Sequence, residues 1–152
     1  MKGFLKKYLS DADLNAIAAK IAEAESETSG QIRVSIRQRR HWREWKLSLH
    51  QIALLEFQRM GMQQTKHRTG VLILLLMSEK KFHVIADEGI HKKVPDGTWD
   101  AVATLMAGHF KKGNFLNGIC EGIDMVGDIL TTYFPKQSGD GDELPQNVEV
   151  SW

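Results

Sequence analysis

A β-branched run, His83-Val84-Ile85-Ala86, stops at two adjacent carboxylates and a glycine, Asp87-Glu88-Gly89, and Pro95-Asp96-Gly97 follows within one loop's length. Carboxylates at the end of a buried strand can ligate a hard cation, cap a helix or hold a solvated turn. Calcium takes roughly six to eight oxygens, several of them from carboxylates, so Asp87 and Glu88 need company. Glu25 and Glu27 close an apolar-striped helix earlier in the chain. In an open α/β sheet the loops at one strand end converge. Glu25, Glu27, Asp87 and Glu88 therefore form the candidate metal set, with calcium or another divalent cation as its ligand. Asp96 joins only if its loop folds back; three residues before Trp99, it reads as the N-cap of the next helix. The spacing is not that of an EF-hand loop, so the site would be composite. The plainer reading of the same residues is a solvated helix end at Glu23, Glu25 and Glu27 and a turn at 87–89.

No catalytic residue can be assigned. Cys120 is followed by Glu121-Gly122-Ile123-Asp124-Met125-Val126, with no arginine to complete a Cys-x5-Arg phosphate loop, and its helical position suggests core packing. His83 and Asp87 share a strand face but stand about 13 Å apart, too far to act on one phosphate. The histidines have no zinc spacing, and no glycine-rich nucleotide motif occurs, so no nucleotide cofactor is expected. Arg37 to Lys46 interleaves five Arg or Lys with Trp42 and Trp45. Arg39, Arg40, Trp42, Arg43 and Trp45 could meet a protein or a small anionic partner. Nucleic acid is not expected, because the chain as a whole is not basic. The structural alternative is a connector whose tryptophans cover a sheet edge while its arginines stay wet.

These residues need a scaffold. The chain has 152 residues, 42% hydrophobic and 26% charged, with 20 Lys and Arg against 19 Asp and Glu. That is one domain of ordinary globular composition, without a global field to draw it to DNA or an anionic membrane. A lone cysteine excludes an intramolecular disulfide. The start lacks a signal-peptide apolar stretch, and Val71–Met77 is too short to span a bilayer, so a cytoplasmic protein is expected. Ser10 and Asp13 have capping-box spacing ahead of Leu14, Ile17, Ala18, Ile21 and Ala22, which predicts a helix over 11–25. Gln31–Arg37 alternates as a half-buried strand. Leu49, Ala53, Phe57 and Met60 predict a helix to about Gln64. Val71–Met77 and Phe82–Ala86 predict two antiparallel strands joined by a tight turn at 78–81. Two further helices are predicted over 96–110 and 114–133. The order α-β-α-β-β-α-α fits a three-layer α/β/α sandwich with a small mixed sheet over 1–135, and 136–152 reads as a flexible tail.

Several stretches, in order, resemble the TPM domain family: Ala24–Val34, Thr69–Ile73, Ala86–Ile90, His109–Phe115 and Gly118-Ile119. The likeness runs from about Leu5 to Phe134 and is greatest to short members without a membrane anchor. It implies the same α/β/α sandwich. It also implies calcium binding in loops at one edge of the sheet, acid phosphatase activity in some members, and binding or regulatory roles in others. This chain departs from the family pattern at Gln31, where many members are acidic, and at Lys66, Arg68 and Thr69, ahead of the second strand. Lys66 and Arg68 would repel a divalent ion there unless they point away.

Overall fold

The computed structural model describes residues 7–137 and 148–151. They fall into two compact units, one of 7–30 with 93–137 and one of 31–92 with 148–151. The first unit is helical. Helix α1, Asp11–Glu25, starts at the predicted capping box: Ser10 Oγ accepts from Asp13 N, and the Asp13 carboxylate accepts from Ser10 N. Helices α4, Thr98–Lys111, and α5, Phe115–Tyr133, complete the unit, and α5 packs against both α1 and α4. Ala24 of α1 abuts Gly127 of α5. Beyond α5 the chain is tied down by Thr28, whose hydroxyl donates to the Phe134 carbonyl at 2.5 Å. Asp96 does not cap α4, contrary to expectation. Gly97 takes the cap position at a φ of 85°, a left-handed conformation glycine adopts without steric cost, and Thr98 Oγ1 bonds back to the Pro95 carbonyl.

The second unit is built on a four-stranded sheet in the order β3-β2-β1-β4. Strands β1, Gln31–Arg37, and β2, Gly70–Leu76, are parallel, and β2 is antiparallel to β3, Lys81–Ala86. The β2–β3 connection is a 3₁₀ turn at Met77–Glu79 closed by Lys80 at a φ of 52°. Helix α2, Leu49–Arg59, covers one sheet face, where Ile52, Ala53 and Phe57 pack with Leu72, Leu74 and Ile85. It ends earlier than its apolar spacing suggests, because Gly61 turns left-handed at a φ of 71°. A short helix absent from the sequence reading, α3, Glu88–His91, begins directly after β3.

Two further expectations are corrected. The half-buried reading of β1 fails: all seven of its residues are buried. Ile32, Val34 and Ile36 form one face as expected, but Arg33, Ser35 and Arg37 are also covered because the chain supplies them with partners. Arg37 bonds Glu44 at 2.6 Å, Ser35 Oγ donates to Glu56 at 2.5 Å, and Arg33 donates to Gln31 Oε1 and to the Ile32 carbonyl. The expected flexible tail at 136–152 contains a fourth strand, β4, Val148–Ser151, paired parallel to β1 from Val34↔Val148 to Arg37↔Ser151. The rest of that tail, apart from residues 136 and 137, lies outside the described residues. The architecture is a mixed α/β fold, and no helix among the described residues is long and apolar enough to cross a membrane.

Candidate functional site

The acidic turn at the end of β3 is where the sequence placed its chemistry. Asp87 is buried, and its Oδ1 accepts from Glu88 N at 2.8 Å, so it caps α3. The same carboxylate is gripped from outside. Arg68 Nε and Nη2 donate to Asp87 Oδ2 and Oδ1, both at 2.8 Å, and Arg68 Nη1 reaches Glu88 at 3.3 Å. That is the parallel, bidentate geometry in which a guanidinium binds a carboxylate most strongly. Arg68 holds a left-handed φ of 57° to do so, a backbone state that costs a side-chain-bearing residue on the order of 1 kcal/mol. Gly89 lets the two segments close: its N–H donates to the Arg68 carbonyl at 3.0 Å. A Cβ there would sit 2.5 Å from that carbonyl oxygen and nearer still to that of His67.

Arg68 therefore points at the acidic turn and supplies the positive charge a cation would bring. The fit of a metal to Asp87 is poor for that reason, since both carboxylate oxygens are already engaged. Glu88 is exposed at the same turn. Glu25 and Glu27 belong to the helical unit, at and just beyond the end of α1; Glu25 is buried and Glu27 exposed. Among the described residues, no group of three or more His, Cys, Asp or Glu is placed to hold a metal ion. Of the departures from the family pattern, Gln31 is buried, Lys66 is exposed, and Thr69 accepts from Gln31 N through its carbonyl.

Beside the Arg68–Asp87 pair opens a cleft of about 490 Å³. Leu54 and Phe57 of α2 and Ile85 of β3 line it with apolar side chains, and His50, Gln63 and His91 with polar ones. Pockets of this size, mostly apolar with a few placed polar groups, suit small molecules. The Gln63 side-chain oxygen is buried without a hydrogen-bond partner. At the head of α2, His50 Nδ1 faces His83 Nε2 of β3 at 2.9 Å. One nitrogen of that pair must carry the proton and the other a lone pair. Burial first, and the His50 charge second, hold His83 below the ordinary histidine value.

Sequence reasoning missed Arg68 as the partner of Asp87, the His50–His83 pair and the cleft. Each joins segments distant in the chain, and only a left-handed φ at Arg68 carries the first; no local pattern signals it. Cys120 is partly buried, and its thiol is pushed up by that burial, so it is a poor nucleophile. In the basic–aromatic segment the expected arrangement is partly inverted. Trp42 and Trp45 are the exposed residues. Arg40 is bound, to Glu79 at 2.5 and 3.1 Å and to the Leu47 and Glu44 carbonyls. Arg39 and Arg43 remain exposed.

A parallel β1–β2 pair, an antiparallel edge strand ending in an acidic turn, and an adjoining cleft define a mixed α/β domain with its polar groups gathered at one strand end. The chain belongs to the TPM domain family, whose model matches residues 5–129. It is similar to the BA42 protein of the psychrophilic bacterium Bizionia argentinensis, at 34% identity over 94% of this chain and 95% of that one, with a TM-score of 0.84. It shares its fold with the N-terminal domain of a P. gingivalis protein at 20% identity, over 84% of this chain and 79% of that one, with a TM-score of 0.68. It shares it also with the N-terminal domain of cg2496 from Corynebacterium glutamicum at 12% identity, over 91% and 83%, with a TM-score of 0.62. No curated protein matches the chain.

Proposed function

We propose that this TPM domain is a cytoplasmic binding module whose ligand site is the cleft beside the acidic turn. The observation that supports this best is the bidentate Arg68–Asp87 pair set at the edge of a half-open apolar cleft. Leu54, Phe57 and Ile85 in its lining suit an apolar body, and His50 and His91 supply polar contacts beside the neutralised Arg68–Asp87 pair. Metal-assisted hydrolysis of phosphate monoesters, the other activity the resemblance implies, is not part of this reading; Cys120 is a partly buried thiol whose pKa burial raises.

Calcium enters this reading as a weak competitor of Arg68. A cation at Asp87 and Glu88 must displace a guanidinium that already neutralises them, so occupancy requires high concentration. Ligands that bind only the native state raise its unfolding midpoint by linkage. Thermal unfolding with millimolar calcium or chelator is expected to give little difference in the natural chain and a clear rise in Arg68→Ala. Equal shifts in both would remove Arg68 as a competitor, and no shift in either would remove the cation site. A fragment screen by NMR, read at the His50 and Ile85 amides, tests the cleft itself. Fragments that perturb residues elsewhere and leave these unmoved would dispose of it.

A further inference from the structure

A 3₁₀ turn spans Trp42–Glu44, and a second turn follows at 45–46. Glu44 N donates to the His41 carbonyl at 2.8 Å and Leu47 N to the Glu44 carbonyl at 2.9 Å. Side chains three apart eclipse on such a path, so the segment sorts into stripes. Glu44 and Leu47 turn inward: Glu44 is buried on Arg37, and Leu47 packs against the core that α2 shares with the sheet. Trp42 and Trp45 form a second stripe, 77% and 70% exposed. Arg43 and Lys46 form the third, each lying over the indole before it, at 4.8 and 4.9 Å from the ring centroids. The one acid of the segment is the inward one. The exposed side chains of 39–46 are thus two indoles with Arg39, His41, Arg43 and Lys46, and the segment's own carboxylate, Glu44, is buried.

We infer that this ridge docks the domain on an anionic lipid surface. Indoles prefer the headgroup level of a bilayer, where the ring is half desolvated and its N–H still finds acceptors. Basic side chains beside them are drawn to anionic lipid. The indoles keep most of their surface in water, so they stand on a projection rather than in a groove. A fluid headgroup layer accepts a projection without a matching concavity, whereas a folded partner must supply one. Stacking of nucleobases is opposed because one face of each ring already carries a cation of the chain itself. This site is separate from the cleft and does not depend on it.

The test is co-sedimentation of the full chain with vesicles of phosphatidylcholine alone and of phosphatidylcholine mixed in equal parts with phosphatidylglycerol. Binding is expected to the anionic vesicles only, weakening as salt rises, with a blue shift of indole emission. The double substitution Trp42→Ala and Trp45→Ala should abolish both. Arg43→Glu with Lys46→Glu should weaken partition at least about 25-fold, at about fivefold for each of the two cations removed. Both pairs lie on exposed positions, so unfolding midpoints should match the natural chain. Failure of the natural chain to partition, or retention of partition by both variants, overturns the inference. So does tighter binding to polyglutamate or to an oligothymidylate than to anionic vesicles, which would assign the ridge to a protein or to nucleic acid.

Discussion

Glu56 of α2 is a carboxylate held among apolar side chains, 5% exposed, with Ser35 Oγ at 2.5 Å and Arg59 Nε at 2.7 Å. Burial is the largest single influence on it and pushes its pKa up. The hydrogen bonds from Arg59 and Ser35, with the charges of Arg59 and Arg37, outweigh that and hold it below the ordinary carboxylate value. Its folded pKa is depressed, so it contributes stability that is fully present above the unfolded value of about 4.3 and lost as pH falls through the folded one. In urea titrations Glu56→Gln is expected to lose about 1–3 kcal/mol at neutral pH. It should also show a shallower decline of stability below about pH 5 than the natural chain. An unchanged acid slope would mean that folding does not depress the Glu56 pKa.

At the scale of elements, two contacts fix the surroundings of the cleft. The His50–His83 hydrogen bond pins the first turn of α2 to the edge strand β3. His83 prefers its neutral form, so its folded pKa lies below the unfolded one of about 6.5. The contact is therefore intact above that value and lost as pH falls through the folded pKa. Imidazole resonances followed by NMR should show His83 titrating below the ordinary histidine value, and His50→Ala should return it part of the way. The second contact is the closure of loop 65–69 on the start of α3. Gly89→Ala places a methyl against two backbone carbonyls that cannot rotate away, and about 1–3 kcal/mol of stability should be lost. Gly108→Ala is the control. Its added methyl meets nothing within 4 Å on helix α4, and a gain of about 0.5–1 kcal/mol is expected from helix propensity.

At the scale of the molecule, β4 decides how the sheet ends. Without it β1 would present an unpaired edge, an invitation to pairing between chains. Its Glu149 also binds Arg59 at 2.5 Å, extending the Ser35–Glu56–Arg59 chain of partners to the far side of β1. A chain ending at Gln137 is expected to unfold at lower temperature, by about 2–4 °C for each kcal/mol lost, and to scatter light on standing. Glu149→Lys should reproduce part of the thermal loss without the scattering, because the backbone pairing survives. A truncated chain with the full midpoint would show that β4 contributes nothing to the sheet.

The residues of α1, β2, β3 and α5 determine those elements by themselves. Capping chemistry at Ser10 and Asp13, a short apolar run after Gly70 and an apolar spacing of four, three and four residues from Ile119 are properties of neighbouring residues, and a chain segment carries them wherever it goes. The position of the acidic turn at the end of β3 was legible for the same reason. Strand β4 was not: Val-Glu-Val-Ser is too short to outweigh the glycines and proline before it, and its pairing energy comes from β1. Nor were the charge partners. Arginines of the Arg37–Lys46 segment looked wet and its tryptophans covered, yet Arg37 and Arg40 found carboxylates while both indoles stayed in water. Asp87 had several cations within reach of a folded chain, and which one arrives depends on loop closure between distant segments. Tertiary structure chose Arg68, through a left-handed backbone and a glycine that lets two chains touch. That choice sets an ion pair beside a cleft at the acidic turn.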